Sequence, residues 1–241
     1  MMYRLFDLNI EIKEKYPETK IMLEKYRSEQ ATNADLSIEI SDSEINGEKI
    51  KDAEHSNSYH EMICIFRHIA EEMLDFDGLF VHSAVIEADK KGYMLTGRSG
   101  AGKSALAQNW TKYLDNARVI IGDKPILRFF PVGIYAYGSP WCGTEGLNIN
   151  GKVKLCAAGF VVQAKTNFVK DMTDDDVFKK LLNQTVMPKA AQRRLKYFEL
   201  LDRLIKEIPF CEISCDISKN AAAVSYSYMK AAAEKQKPCI P

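Results

Sequence analysis

Gly97-Arg98-Ser99-Gly100-Ala101-Gly102-Lys103-Ser104 matches G-x-x-x-x-G-K-[ST] in full, the pattern of a P-loop that cradles phosphates. Each position has a chemical reason. Glycines let successive backbone N–H groups curl around phosphate oxygens, and a helix opening at the end of the loop adds its positive N-terminus to the same concavity. Lys103 is suited to neutralise β and γ phosphates, and Ser104 offers a hydroxyl to Mg²⁺. With Ala105 in the first helical turn, the expected nucleotide-binding set runs from Gly97 to Ala105. Arg98 either reaches phosphate or faces water.

A phosphate cradle by itself neither holds a metal nor orients an acceptor. Asp123 fits that second role: it ends the apolar run Val119-Ile120-Ile121, where a neighbouring strand would finish beside the phosphates. There it would ligate the metal or orient the acceptor, the plainer alternative being a strand-end Asp in a turn. His82 stands in the apolar run before the loop and assists proton movement only if that strand ends at the same crevice; a lone His in an apolar strand is usually structural. Lys124 and Arg128 follow Asp123 and would meet a phosphate or a carboxylate substrate, or else a solvated strand edge. Residues 137–150, YGSPWCGTEGLNIN, read as an ordered substrate-facing loop presenting Trp141 and Glu145, against the alternative of an aromatic lid that touches no ligand.

The elements that must carry these residues are legible from periodicity. Leu79 to Glu87 is rich in β-formers, Asp89 to Gly92 is a turn, and Tyr93 to Thr96 is a second apolar strand. The glycine segment follows, then a helix over ALAQNWTKYL, so strand, loop and helix occur in the order a P-loop needs. Further strands are expected at 118–121, 126–130, 153–162 and 210–215. Thr173 with Asp176 caps one helix, Pro188 leads into a long amphipathic one, and Ser218 caps a last, alanine-rich one. Upstream, 3–13 and 35–40 alternate as strands, with a short helix after Pro17 between them. A helix runs from Ser58 to about Leu74. Residues 1–55 are therefore expected to be a small α+β region and 56–241 the nucleotide-binding domain.

Composition narrows the classes. The chain has 241 residues, 46% hydrophobic and 27% charged, which excludes collagen-like, low-complexity and wholly disordered states. Thirty-three Lys and Arg balance 33 Asp and Glu, so no nucleic-acid partner is expected from global charge. No apolar run approaches a bilayer span and the N-terminus lacks the apolar segment of a secretory signal, so no membrane contact and a cytoplasmic home are expected. The six cysteines form no C-x-x-C pair and are expected as reduced thiols, not zinc ligands. The acidic run Asp174 to Asp176 suits a helix's first turn better than a metal site. Nothing here decides whether a homo-oligomer forms.

The stretch from FVHSAVIEADKKGYMLTGRSGAGKSALAQNW through VIIGDKPILR resembles the nucleotide site of HPr kinase/phosphorylase and its phosphoenolpyruvate carboxykinase-like relatives, and the similarity extends to SPWCGTEGLNIN. It looks like a bacterial branch of small HPr kinase-like proteins, over about residues 58 to 230. The resemblance implies an α/β P-loop core of the HPr kinase/phosphoenolpyruvate carboxykinase-like type, with ATP and a divalent ion bound. His82 falls on the histidine of the strand before the loop. In HPr kinase the Walker B position carries two adjacent aspartates, one acting on the acceptor hydroxyl and one near the metal. Here the pair reads Gly122-Asp123, and an Asp at 122 would restore the missing carboxylate. Carboxykinases proper are much longer and bring basic substrate residues from a domain with no counterpart in residues 1–55, which excludes that activity.

The expected function is therefore ATP- and Mg²⁺-dependent phosphoryl transfer to a hydroxyl of a small protein, peptide or metabolite, with Asp123, Lys103 and His82 as the chemical groups. The rival is an ATP-binding sensor without transfer. A GTPase is disfavoured by the lack of an N-K-x-D segment.

Overall fold

The structure is a computed structural model that describes residues 1–216 and 218–235; Cys239 lies outside the described residues. Residues 3–13, expected as one strand, form two: β1 (Met2–Leu5) and β2 (Leu8–Lys13) pair antiparallel across Phe6 and Asp7, whose φ angles are 57° and 63°. Two consecutive residues at positive φ give the turn whose twist matches a hairpin. Phe6 is only 2% exposed, so its buried ring offsets the cost of that backbone. Helix α1 (Pro17–Leu23) carries its proline in the first turn, and β3 (Leu36–Glu39) returns parallel to β2.

Helix α2 (Asp42–Lys51), which the apolar pattern did not reveal, starts at a capping box in which Ser41 and Glu44 each accept the other's backbone N–H. Helix α3 (Asn57–Glu72) packs on α1, α2 and β3. Its Glu61 is fully buried, and the carboxylate accepts the Lys15 N–H at 2.7 Å and the Tyr16 N–H at 3.3 Å. These contacts place α3 with the N-terminal sheet, so the chain divides into compact units Met1–Met73 and Leu74–Pro241, not near residue 55.

The second unit runs β4 (Gly78–Phe80), β5 (Ser83–Ala88), β6 (Lys91–Thr96), α4 (Lys103–Tyr113), β7 (Ala117–Ile121), β8 (Ile126–Phe130), β9 (Gly133–Tyr137), β10 (Lys152–Gln163), β11 (Phe168–Asp171), α5 (Asp174–Leu181), α6 (Ala191–Glu207), β12 (Phe210–Cys215) and α7 (Lys219–Lys235). It is mixed α/β. The sheet order β7-β5-β6-β10-β12-β11 combines parallel pairs (β6 with β10, β10 with β12) and antiparallel ones. Strand β10 is long because it serves three partners: Lys152–Lys154 pair with β9, Leu155 to Phe160 pair with β6 across an irregularity at Cys156, and Ala158 to Gln163 pair with β12. Through β9 the sheet continues to β8 and β4.

Both faces of this sheet are buried, which explains its continuous apolar runs. Ala84, Ile86, Tyr93 and Leu95 point to one side, against Leu106 and Trp110 of α4 and Ala222 and Met229 of α7. Val85 and Met94 point to the other, into a core with Leu127, Ile134, Leu181, Leu201 and Leu204. The expected run 79–87 breaks between β4 and β5 because the His82 N–H donates to the Gln184 carbonyl at 2.6 Å instead of to a strand. Asp174–Asp176 occupy the first turn of α5, where Thr173 Oγ1 accepts the Asp176 N–H. No helix among the described residues is long and apolar enough to cross a membrane.

Candidate nucleotide site

Three elements converge at one edge of the sheet. Strands β6 and β7 both run antiparallel to β5, so both end where β5 begins. The glycine loop after β6, the Gly122-Asp123 pair after β7 and His82 before β5 are thereby neighbours. Two bonds seal the junction: Thr96 Oγ1 donates to the His82 carbonyl at 2.9 Å, and the Ser83 N–H donates to the Asp123 carbonyl at 2.9 Å.

The loop itself depends on glycine backbone freedom, with φ of 140° at Gly97, 74° at Gly100 and 96° at Gly102. Gly102 is the N-cap of α4 and supplies no side-chain cap; the helical ladder starts at Leu106, whose N–H donates to the Gly102 carbonyl at 2.9 Å. The N–H groups of Lys103, Ser104 and Ala105 therefore lie outside that ladder, at the positive end of the helix. Gln163 Nε2 braces the Gly100 carbonyl at 2.9 Å, while Arg98, Ser99 and Gly100 are exposed. Lys103 is only 7% exposed, its ammonium donating to the Gly97 carbonyl at 2.9 Å and the Arg98 carbonyl at 3.2 Å. Burial lowers its pKa from the ordinary lysine value, and the charge of Asp123 acts in the opposite direction.

Asp123 is held on both oxygens. His82 Nε2 lies 3.0 Å from Oδ1 and Lys124 Nζ lies 2.5 Å from Oδ2. Burial pushes its pKa up, yet the bonds from His82 and Lys124 outweigh that and hold it at about 2, so the carboxylate is ionised throughout the neutral range. The other ring nitrogen of His82, Nδ1, faces Gln184 Oε1 at 3.2 Å. Gln184 thus grips His82 twice, through its side chain and through its carbonyl. No motif marks Gln184, which follows α5 and meets His82 only through the fold.

The 137–150 loop folds back onto the end of β7. The Gly122 N–H donates to the Leu147 carbonyl (2.9 Å), Ile149 N–H to the Ile120 carbonyl (3.0 Å) and Lys124 N–H to the Trp141 carbonyl (3.1 Å). Ser139 Oγ donates to the Lys124 carbonyl at 2.6 Å. Trp141 is 8% exposed and packs as part of this loop, whereas Glu145 is exposed. A Cβ placed on Gly143 would lie 3.2 Å from Asp123 Cβ and 3.7 Å from Glu145 Oε2, so this turn sits directly on Asp123. Lys124 therefore stands on the Asp123 carboxylate, and the same turn carries the exposed Glu145. Arg128 is engaged elsewhere, donating to the Phe76 carbonyl at 3.1 Å and stacking on Phe130.

Position 122 has no room for a second carboxylate. A Cβ there would meet the Cys142 carbonyl oxygen at 2.9 Å, so the loop occupies the space that an aspartate needs. An aspartate at 122 would therefore enter only by displacing the loop, and would not simply restore a carboxylate. The thiols of Cys211 and Cys215, on β12, are pushed up by burial to about 12 and about 11 and stay protonated.

In structure the chain is similar to the HPr(Ser) kinase/phosphatase from Coxiella burnetii, over 65% of this chain and 97% of that one, at 11% identity and a TM-score of 0.38. No protein-family model and no curated protein matches the chain. A likeness at that level leaves the chemistry to be read from this chain's own residues.

Proposed function

We propose that this protein is an ATP- and Mg²⁺-dependent phosphotransferase whose acceptor is a hydroxyl of a small protein, peptide or metabolite. The observation that carries this reading is the meeting of the glycine loop and its buried Lys103 with an ionised Asp123 at one sheet edge. Loop amides and the Lys103 ammonium are arranged to stabilise charge on a transferring phosphoryl group. Among the described residues no cluster of three His, Cys, Asp or Glu could hold a metal alone. The Ser104 hydroxyl and Asp123 carboxylate, completed by nucleotide phosphates, are the sparse oxygen set that Mg²⁺ accepts. When bound, Mg²⁺ supplies charge neutralisation between the β and γ phosphates.

A carboxylate held at about pKa 2 is a weak proton acceptor, so Asp123 serves to orient and to ligate more than to deprotonate. His82 lies between Asp123 and Gln184 and would receive the hydroxyl proton only after exchanging one of those bonds. A loose phosphoryl-transfer transition state makes little demand on a base. The filled space at Gly122 favours the second reading, an ATP-binding regulatory protein without transfer.

The deciding experiment incubates the full chain with γ-labelled ATP, Mg²⁺ and a panel of hydroxyl acceptors, with calorimetry on the same preparation. Binding with label transfer supports the first reading. Binding without transfer or hydrolysis supports the second, and no binding of any purine triphosphate defeats both.

A further inference from the structure

Lys124 occupies one oxygen of the carboxylate that the proposed function assigns to the divalent ion. Its ammonium is 2.5 Å from Asp123 Oδ2, and the other oxygen of that carboxylate faces His82. The Lys124 backbone is pinned on both sides, N–H to the Trp141 carbonyl and carbonyl to Ser139 Oγ, so only the side chain can swing; it is 35% exposed and has solvent to swing into. The crevice thus sets two ammonium groups, Lys103 and Lys124, beside the carboxylate of Asp123, with the exposed Glu145 at the rim. Exposed Arg98 adds a third cation at the loop.

A triphosphate entering such a crevice meets net positive charge before any metal arrives, and a divalent ion approaching Asp123 meets a cation already on the oxygen it needs. Resting on the nucleotide-binding reading above, we propose that Lys124 is a resident counter-cation. It lets the nucleotide bind with little help from a divalent ion, and it must leave Asp123 before that ion can ligate the carboxylate. The site is then loaded first and metallated second.

The test measures the dissociation constant of a non-hydrolysable ATP analogue by calorimetry, in EDTA and in Mg²⁺, for the wild-type chain and for Lys124→Gln, Lys124→Met and Lys124→Arg. In the wild type the EDTA-to-Mg²⁺ ratio of constants should stay below about tenfold. In Lys124→Gln and Lys124→Met the ratio should rise by about ten- to a hundredfold, the weight of one charged hydrogen bond, while Lys124→Arg stays near the wild type. Two neutral variants guard against one folding poorly, which melting curves would reveal. An unchanged ratio in neutral variants that bind the analogue overturns the role of Lys124 and leaves nucleotide binding standing. A wild-type ratio above about tenfold does the same. No binding in any protein under either condition overturns both.

Discussion

Replacing Gly122 by alanine should loosen the loop over Asp123. The added Cβ would sit 2.9 Å from the Cys142 carbonyl oxygen and 3.6 Å from the Leu147 carbonyl oxygen. The first contact is about 0.5 Å inside ordinary van der Waals distance and involves backbone, which cannot rotate away as a side-chain tip can. Relief requires the 139–149 segment to move, against the bonds from Gly122, Lys124 and Ile149 that tie it to the end of β7. Overpacking of this kind costs about 1–3 kcal/mol. For a unit of this size that is a fall in melting temperature of about 2–12 °C, read by circular dichroism. Gly122→Asp should fall further and should not gain transfer activity. Gly47, in α2, is the control: a Cβ there meets nothing within 4 Å, so Gly47→Ala should be neutral or stabilise by about 0.5–1 kcal/mol. A Gly122→Ala protein melting within about 1 °C of the wild type would refute the crowding argument.

Other outcomes follow from the same geometry. Asp123 has its pKa lowered from 3.8 to about 2 in the folded chain, so its contribution of about 2 kcal/mol is complete above pH 3.8 and disappears as the pH falls toward 2; urea titrations of wild type and Asp123→Asn should converge over that window. Lys103→Met should weaken analogue binding by about ten- to a hundredfold with little loss of stability, since it removes a buried ammonium whose desolvation offsets its bonds to two carbonyls; calorimetry beside a melting curve checks both halves. Gln184→Leu should leave His82 Nδ1 without its partner and shift the histidine's nitrogen resonances, at a cost of about 1–3 kcal/mol; unchanged imidazole signals would mean that Gln184 does not position the ring.

Contiguous signals are legible in the chain. The strand-loop-helix passage from Tyr93 to Tyr113 is local chemistry: φ-permissive glycines, an apolar strand and a helix-forming segment follow one another along the chain. The same holds for the caps at Thr173 and for the hairpin turn at Asp89. Other local features leave only weak signals. Phe6 and Asp7 adopt positive φ without a glycine to announce it, and α2 buries too few apolar residues to show a helical stripe. The short strands β9 and β11 leave no clear pattern either, because four or five residues carry little periodicity.

The partners of the chemical groups belong to another level. A motif names Lys103 and a strand end suggests Asp123, but neither says that β5 lies between their strands with His82 at its start. Gln184 reaches His82 from 102 positions away, and the Cys142 carbonyl closes the space at Gly122 from a loop that local composition leaves unplaced. Backbone conformation and helix polarity depend on neighbours in the chain, so a phosphate cradle can be foreseen from eight consecutive residues. Which ammonium rests on which carboxylate depends on sheet register and on where a returning loop finds room, and those are settled only when the strands have packed.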